Sequence, residues 1–331
     1  MAGYDIYGIG AALVDTEIQV SNEFLSENGI DKGVMTLVDE TRQAELLEAL
    51  AVNQLQALRQ SGGSVCNSIV AASCLGSRAF FSGKVAGDAD GDLYIEDLRH
   101  AGVDFQGAGQ DPGVTGKCLV MVTPDAERSM NTFLGASEGL GATEIDQAAL
   151  LDSQWFYIEG YLVTNESRTE AVIDAVRLAK ANGVKIALSL SDPFVVSVFA
   201  GALKKLIGNG IDLIFCNRDE ALAFTGTNDL DSAAESLKLF TKTFAITDGA
   251  NGAVIFDGVE VCHTDAVPVV AVDSNGAGDM FAGAFLNRII SGRTYAEAAI
   301  FANACAAKVV SRFGPRLDKD DFDEINRRLG F

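Results

Sequence analysis

Trp155-Phe-Tyr-Ile158, Lys185-Ile-Ala-Leu188, Leu213-Ile-Phe-Cys216 and Thr243-Phe-Ala-Ile246 are four short apolar runs at nearly regular intervals. Each reads as a buried strand, because a buried helix needs a longer run. The segments between and after them read as helices: Ser167–Asn182 (stopped by Gly183), Phe194–Ile207, Asp219–Phe224 and Asp231–Phe240. Strand and helix in alternation argue for βαβ units and a mainly parallel sheet.

Outward from this block the pattern changes. Tyr4–Gly10 and Gly33–Val38 read as strands, and the polar Asn22–Gly29 between them as turns. Asn67–Leu75 reads as a helix that Gly76 stops. Ala79–Phe81 is the next strand and Gly91–Ala101 the next helix. Lys117–Thr123 and Ser129–Leu134 are strands around a Pro124–Glu127 turn. Asp257-Gly258, between Gly252–Phe256 and Val259–His263, is a two-residue hairpin signal. Gly278–Ser291 and Tyr295–Arg312 read as two closing helices. No linker, repeat or low-complexity segment interrupts the chain, so residues 1–331 read as a single domain. The strand-rich pieces near 12–39 and 103–134 fall outside the alternation and read as a small sheet set apart.

Composition excludes several functions. The net charge of −21, from 46 acidic and 25 basic residues, argues against nucleic acid or an anionic membrane as partner, since both require clustered Lys and Arg. Hydrophobic residues make up 48%, enough for a large core. The six cysteines are scattered without a C-x-x-C pair, and there are two histidines. Neither a disulfide framework nor a zinc site is expected, and buried thiols in a reducing cytoplasm are. No apolar run approaches a membrane span, and the first residues carry no basic segment of a signal peptide.

The most informative motif is Asp273-Ser-Asn-Gly276-Ala277-Gly278-Asp279, followed by an apolar helix. Glycines let a ligand approach the backbone, and a helix start favours an anion. An ionised aspartate there can take a proton from a hydroxyl. An anion cradle beside a base suits phosphoryl transfer, while an N-cap role for Asp279 stays open. Gly62-Gly63-Ser64-Val-Cys-Asn67 also precedes a helix and suits a polyhydroxylated ligand, with Asn67 as N-cap the plainer alternative. Asp15 can accept two neighbouring hydroxyls or be a solvated loop acid. Asn217 and Glu220 share a helix face and can hold Mg²⁺ directly or through water, or close a capping box. Arg128, beside the Pro124–Glu127 turn, can reach a transferring phosphate or stay on the surface. Gly8-Ile-Gly10 lacks the third glycine of a dinucleotide fingerprint. Neither Gly83-Lys84 nor Gly116-Lys117 is a P-loop.

Together these residues resemble the ribokinase family, the PfkB-type carbohydrate kinases, which include adenosine kinases. The resemblance spans nearly the whole chain and rests above all on D-[ST]-x-G-A-G-D at Asp273–Asp279. It implies a three-layer α/β/α fold with a mainly parallel central sheet and a small β-sheet lid, here from the 12–39 and 103–134 segments. It implies an ATP-dependent kinase in which Asp279 is the base and Gly276, Ala277 and Gly278 form the anion hole. Asp15, Gly62, Gly63 and Asn67 then match acceptor-binding positions. Asn217 and Glu220 match an N-x-x-E motif tied to Mg²⁺ and phosphate. Thr247, Gly249 and Gly252 fall in the nucleotide-side loop, and Asn303 at the border of the adenine pocket. Arg128 resembles the lid arginine of a G-E-R-S-like segment, with Ala126 in place of the glycine. A K⁺ effect and a homodimer through the lid edge are also expected. The acceptor implied first is an adenosine-type ribonucleoside; a free sugar is the alternative, because Ala11 stands where adenosine kinases usually have an asparagine. A non-catalytic binding protein on the same fold is the minor reading.

Overall fold

The computed structural model describes residues 3–52, 57–106 and 112–331. Its strands in chain order are β1 (Tyr4–Ile9), β2 (Leu13–Gln19), β3 (Met35–Leu37), β4 (Ala57–Gly62), β5 (Ala79–Ser82), β6 (Val103–Gln106), β7 (Gly116–Val122), β8 (Arg128–Phe133), β9 (Ser153–Glu159), β10 (Lys185–Ser189), β11 (Ile211–Asn217), β12 (Thr241–Thr247), β13 (Ala253–Phe256) and β14 (Val261–Thr264). The four apolar runs are the centres of β9, β10, β11 and β12. They lie side by side in a nine-stranded sheet ordered β14-β13-β12-β11-β10-β9-β1-β5-β6. Pairing is parallel from β6 to β12 and antiparallel at β13 and β14.

These strands are apolar on both faces because both faces are covered. On β11, Leu213 and Phe215 enter a core shared with the helices Ser64–Cys74, Ala277–Ile290 and Tyr295–Val310. Ile214 and Cys216 point the other way, into a core shared with Glu166–Ala181 and Pro193–Ile207. Fully burying side chains such as Phe285 and Phe156 stabilises the fold by roughly 1.5–3 kcal/mol each. The three-layer α/β/α expectation is met. The strand order also fixes where a ligand fits: the chain leaves β1 toward β5 and β6 on one side and returns to β9–β12 on the other. Such a reversal opens a crevice at the carboxyl ends of the strands.

A second sheet of five strands, ordered β3-β8-β7-β2-β4, stands apart from the first. One face packs Ile18, Leu119 and Met121 against the helices Asn22–Glu27 and Glu40–Val52. The other face carries Leu13, Cys118 and Val120 and looks into the crevice.

Locally the structure corrects some expectations and adds elements that none covered. Asn22–Glu27 is a helix, not a turn, because the Ser21 hydroxyl caps it by accepting from the Phe24 N–H at 3.2 Å. The polar stretch Ala57–Gly62 is a strand, at the edge of the small sheet, paired with β2. Val103–Gln106 belongs to the edge of the large sheet, beside β5. Residues 107–111 of the same segment lie outside the described residues. The hairpin at Asp257-Gly258 has a four-residue loop, since Phe256 pairs with Val261; the Asp257 carboxylate accepts from the N–H groups of Val259 and Glu260 at 2.8 and 2.9 Å. A third closing helix, Lys319–Leu329, follows the two expected ones and opens with a capping box between Asp318 and Asp321. Among the described residues no helix is long and apolar enough to cross a membrane.

Candidate active site

The crevice is a cavity of about 750 Å³ that brings most of the expected residues together: Asp15, Gly63, Asn67, Arg128, Glu220 and the Gly276–Asp279 loop all line it. Thr247, Gly249 and Asn217 line it as well.

The loop begins with Asp273, which is fully buried. Its carboxylate accepts from the Asn275 N–H at 2.8 Å and the Gly314 N–H at 3.2 Å. Gly276 is the N-cap of the Ala277–Ile290 helix, in the left-handed region at φ 70°. A Cβ on it would lie 2.4 Å from the Cβ of Pro315. Only glycine meets both conditions. Asp279 is therefore the third helical residue and not the N-cap, and its side chain caps nothing. Its two oxygens instead accept from the Ser64 hydroxyl at 2.6 Å and the Asn67 Nδ2 at 3.3 Å. Burial pushes Asp279 up to about 6, opposed by those two hydrogen bonds and by the Arg128 charge. It is still ionised at neutral pH. The first N–H groups of the helix have no intrahelical acceptor; that of Ala277 donates at 3.5 Å to the Ser274 carbonyl, and Gly276, Ala277 and Gly278 line the cavity beside this carboxylate.

Asp15 lies on β2, in a strand and not in a loop, and only 5% exposed. Burial pushes it up to about 7; the Arg316 guanidinium holds it down, and Asp279 and Glu159 push it up. Gly62 lies directly beneath: a Cβ there would sit 2.0 Å from the Asp15 carboxyl carbon. Gly63, at φ 98°, caps the Ser64–Cys74 helix through its backbone. Asn67 is thus inside the helix, and the N-cap alternative for it falls. Its Oδ1 is buried without a partner among the described residues.

Asn217 and Glu220 do form a capping box at the end of β11: the Asn217 side chain accepts from the Glu220 N–H at 2.8 Å, and Glu220 accepts from the Asn217 N–H at 3.0 Å. The same Glu220 faces the cavity, with its carboxyl pushed up to about 7 by burial. Arg128 is half-buried rather than a free surface group, and its Nη1 donates to the Ser274 carbonyl at 2.9 Å. The turn before it places Ala126 at φ 62°, where the resembled family has its glycine. Gly252 and Asn303 are not brought to the cavity. Gly252 packs against Thr264, and the buried Asn303 amide donates to the carbonyl of Asp265 at 3.0 Å and the hydroxyl of Thr264 at 3.1 Å, tying helix to strand end.

The structure adds residues that the motifs did not single out. Ser64 holds Asp279 and lies inside the Gly62–Asn67 motif, so spacing could have found it. Glu159 is buried at the end of β9, accepts from the N–H groups of Val65 and Ala11 at 3.2 and 3.3 Å, and is pushed up to about 7 by burial. A carboxylate closing an apolar strand was a visible signal. Glu17 is fully buried, accepts from the Asn275 side chain and is pushed up to about 8 by burial. Arg316 gave no signal, because its partners are far away in sequence.

Residues 34–321 match the model of the pfkB family of carbohydrate kinases. The chain belongs to that family. The kinase is 37% identical to the adenosine kinase of Sinorhizobium meliloti, with a TM-score of 0.91 covering 99% of this chain and 100% of the other. It is 34% identical to a probable sugar kinase from Rhizobium etli CFN 42, with a TM-score of 0.92 covering 100% and 99%. It is 28% identical over 348 residues to the adenosine kinase of Schizophyllum commune, covering 96% of this chain and 98% of the relative. The kinase uses ATP as phosphoryl donor, as its family does.

Proposed function

We propose that this kinase transfers the γ-phosphoryl group of ATP to the primary hydroxyl of an adenosine-type ribonucleoside. One observation carries the acceptor class: the cavity lining combines a polar cluster with an apolar face. Asp15, Asn67 and Asp279 line it together, and the Asn67 Oδ1 has no partner among the described residues. That cluster suits sugar hydroxyls. Beside it the small-sheet face offers Leu13, Val120, Met130 and Leu134, which suits a flat heterocycle; a free sugar would leave those surfaces uncovered. The kinship to adenosine kinases supports the same acceptor.

In this reading Asp15 and Asn67 hold the ribose so that its primary hydroxyl faces Asp279. Asp279 takes the hydroxyl proton as the new O–P bond forms and the bond to the ADP oxygen breaks. The N–H groups behind Gly276, Ala277 and Gly278 hold the phosphoryl oxygens, and Arg128 adds a permanent positive charge. Glu220 and Asn217 would orient hydrated Mg²⁺. They fit this role because Glu220 is a buried carboxylate facing the cavity that, among the described residues, is held by Asn217 and has no cationic partner in hydrogen-bond range; the described residues hold no cluster of three or more His, Cys, Asp or Glu for a metal. The ion would then be carried mainly by water and phosphates, where it offsets phosphate charge. The small sheet acts as a lid that excludes water. K⁺ stimulation, pairing of two copies at the lid edge and a cytoplasmic location belong to the same proposal.

The second reading, a free-sugar kinase, is favoured by Ala11. It lines the cavity with no hydrogen-bonding side chain to offer a nucleoside. Turnover with ATP, Mg²⁺ and a panel of adenosine, other ribonucleosides, ribose, fructose and a sugar acid separates the two. AMP from adenosine is the expected product; phosphorylated sugar with no nucleotide product would overturn the acceptor assignment.

A further inference from the structure

Arg316 follows the last long helix by several residues and belongs to no motif, yet it reaches under the acceptor site. Its Nη2 donates to the carbonyl and, at 2.8 Å, to the hydroxyl of Ser61. Its Nη1 donates to Asp97 Oδ2 at 2.8 Å. The same Asp97 oxygen accepts from the N–H and hydroxyl of Ser61 at 2.8 and 2.6 Å. Ser61 is thus held on its N–H, carbonyl and hydroxyl. The next residue is Gly62, on whose bare α-carbon the Asp15 carboxylate rests. Tyr94 completes the clamp by donating to the Gly62 carbonyl at 3.1 Å. The two residues before Arg316 are fixed to the phosphate side: Gly314 donates to Asp273, and Pro315 packs against Gly276.

We infer that Arg316 is a positioning residue for the acceptor: it clamps the Ser61–Gly62 segment beneath Asp15, sets a positive charge against that carboxyl, and fixes both to the anion-hole loop. The inference rests on the reading that Asp15 binds the acceptor. Charge accounting supports it. The groups that face Asp15 from neighbouring elements are Asp279 on the Ala277–Ile290 helix, Glu159 on β9, Cys66 on the Ser64–Cys74 helix, Cys118 on β7 and, on the Ala89–His100 helix, Tyr94, whose phenol burial holds uncharged, with Glu17 on its own strand. The carboxylates among them oppose ionisation of Asp15, and the thiols, pushed up by burial, are uncharged. Arg316 is the main influence holding Asp15 down. Asp97 shares the guanidinium. Asp15 accepts hydroxyl donors as a carboxylate, so acceptor affinity is lost as pH falls through its value. Without Arg316 that value rises, and affinity returns only at higher pH.

The test compares wild type, Arg316→Met, Arg316→Lys, Asp15→Asn and the Arg316→Met/Asp15→Asn double variant. KM for ATP and for adenosine (or ribose, if the panel shows that to be the acceptor) is measured across pH. Arg316→Met is expected to raise the acceptor KM by about fivefold near neutrality, the loss of carboxylate that a rise of about one pH unit at Asp15 produces. KM for ATP should stay unchanged, and the loss should shrink at alkaline pH. Arg316→Lys should restore the pH midpoint while leaving part of the KM defect, because a point charge cannot fork onto Ser61 and Asp97. In the Asp15→Asn background Arg316→Met should add little. A second readout does not need turnover: the Asp15 carboxyl resonance of carboxyl-labelled protein, assigned by its loss in Asp15→Asn, should move its midpoint up by about one pH unit in Arg316→Met. If Asp15→Asn leaves the acceptor KM unchanged, the role of Asp15 fails. If Asp15→Asn raises it but Arg316→Met shifts neither the pH profile nor the resonance, the inference about Arg316 fails. Equal loss of acceptor and ATP affinity at every pH would mark Arg316 as merely structural and overturn it too.

Discussion

Asp279 and Asp15 share one cavity, and burial raises both, yet their surroundings suit them to different proposed work. Asp279 receives two hydrogen bonds from Ser64 and Asn67, which orient it and keep it near 6. As a base it acts only when ionised. Turnover at saturating substrate is therefore expected to fall as pH drops through about 6 and to level off above it, read from the pH profile of kcat. A profile flat well below that point would contradict the assignment. Asp279 was legible as a candidate base because the proposed chemistry calls for a helix start after glycines, and that pattern is local. Asp15 was legible only as a candidate: its place in a strand, under a glycine and beside a distant arginine, depends on tertiary contacts. Gly252 and Asn303 show the opposite limit. Their positions along the chain suggested the nucleotide, but neither lines the cavity, and the partners they have are Thr264 and Asp265.

At the scale of elements, the parallel block was legible because β9–β12 are apolar on both faces, which few other structures demand. The small sheet was harder. β4 is a polar edge strand whose pairing with β2 leaves no signature in its own residues. The turn joining β7 and β8 touches the phosphate loop twice, through Arg128 to the Ser274 carbonyl and through the Ala126 carbonyl to the Ser274 hydroxyl. That turn carries a testable strain. Ala126 sits at φ 62°, which costs a non-glycine residue roughly 1–2 kcal/mol. Glycine removes that cost but adds about 0.5–1 kcal/mol of unfolded-state entropy. Ala126→Gly is expected to stabilise the protein by up to about 1.5 kcal/mol, the difference of those two costs, measured by denaturant unfolding. A loss of stability would show that the backbone there relaxes differently.

The whole molecule couples its two sheets through the cavity they share. If the small sheet closes as a lid, Arg128 is the group it delivers to the phosphates. Arg128→Ala is then expected to lower kcat more than it raises the acceptor KM, and wild-type kinetics would remove it from the site. Burying carboxylates has a global consequence as well. Glu17, Asp15, Glu159 and Glu220 hold their protons up to about 8, 7, 7 and 7 in the folded chain, against about 4 when unfolded. Between those values the folded state binds more protons, so stability is greatest on the acid side and is lost as pH rises through the window. Asp88 and Asp97 are held below their usual value, so they lose stability only at more acid pH. The net charge of −21 adds repulsion in the same alkaline direction. The melting temperature is accordingly expected to be higher near about pH 5 than near about pH 8; the reverse order would mean these carboxyls are ionised in the folded protein. Asp279→Asn decides whether this cavity is a phosphoryl-transfer site with Asp279 as its base. The amide keeps the size and can still bond Ser64 and Asn67 but cannot take a proton. Turnover should fall by about 10²–10⁴-fold while ATP affinity and melting behaviour stay close to wild type; a folded variant with near-normal kcat would contradict the claim.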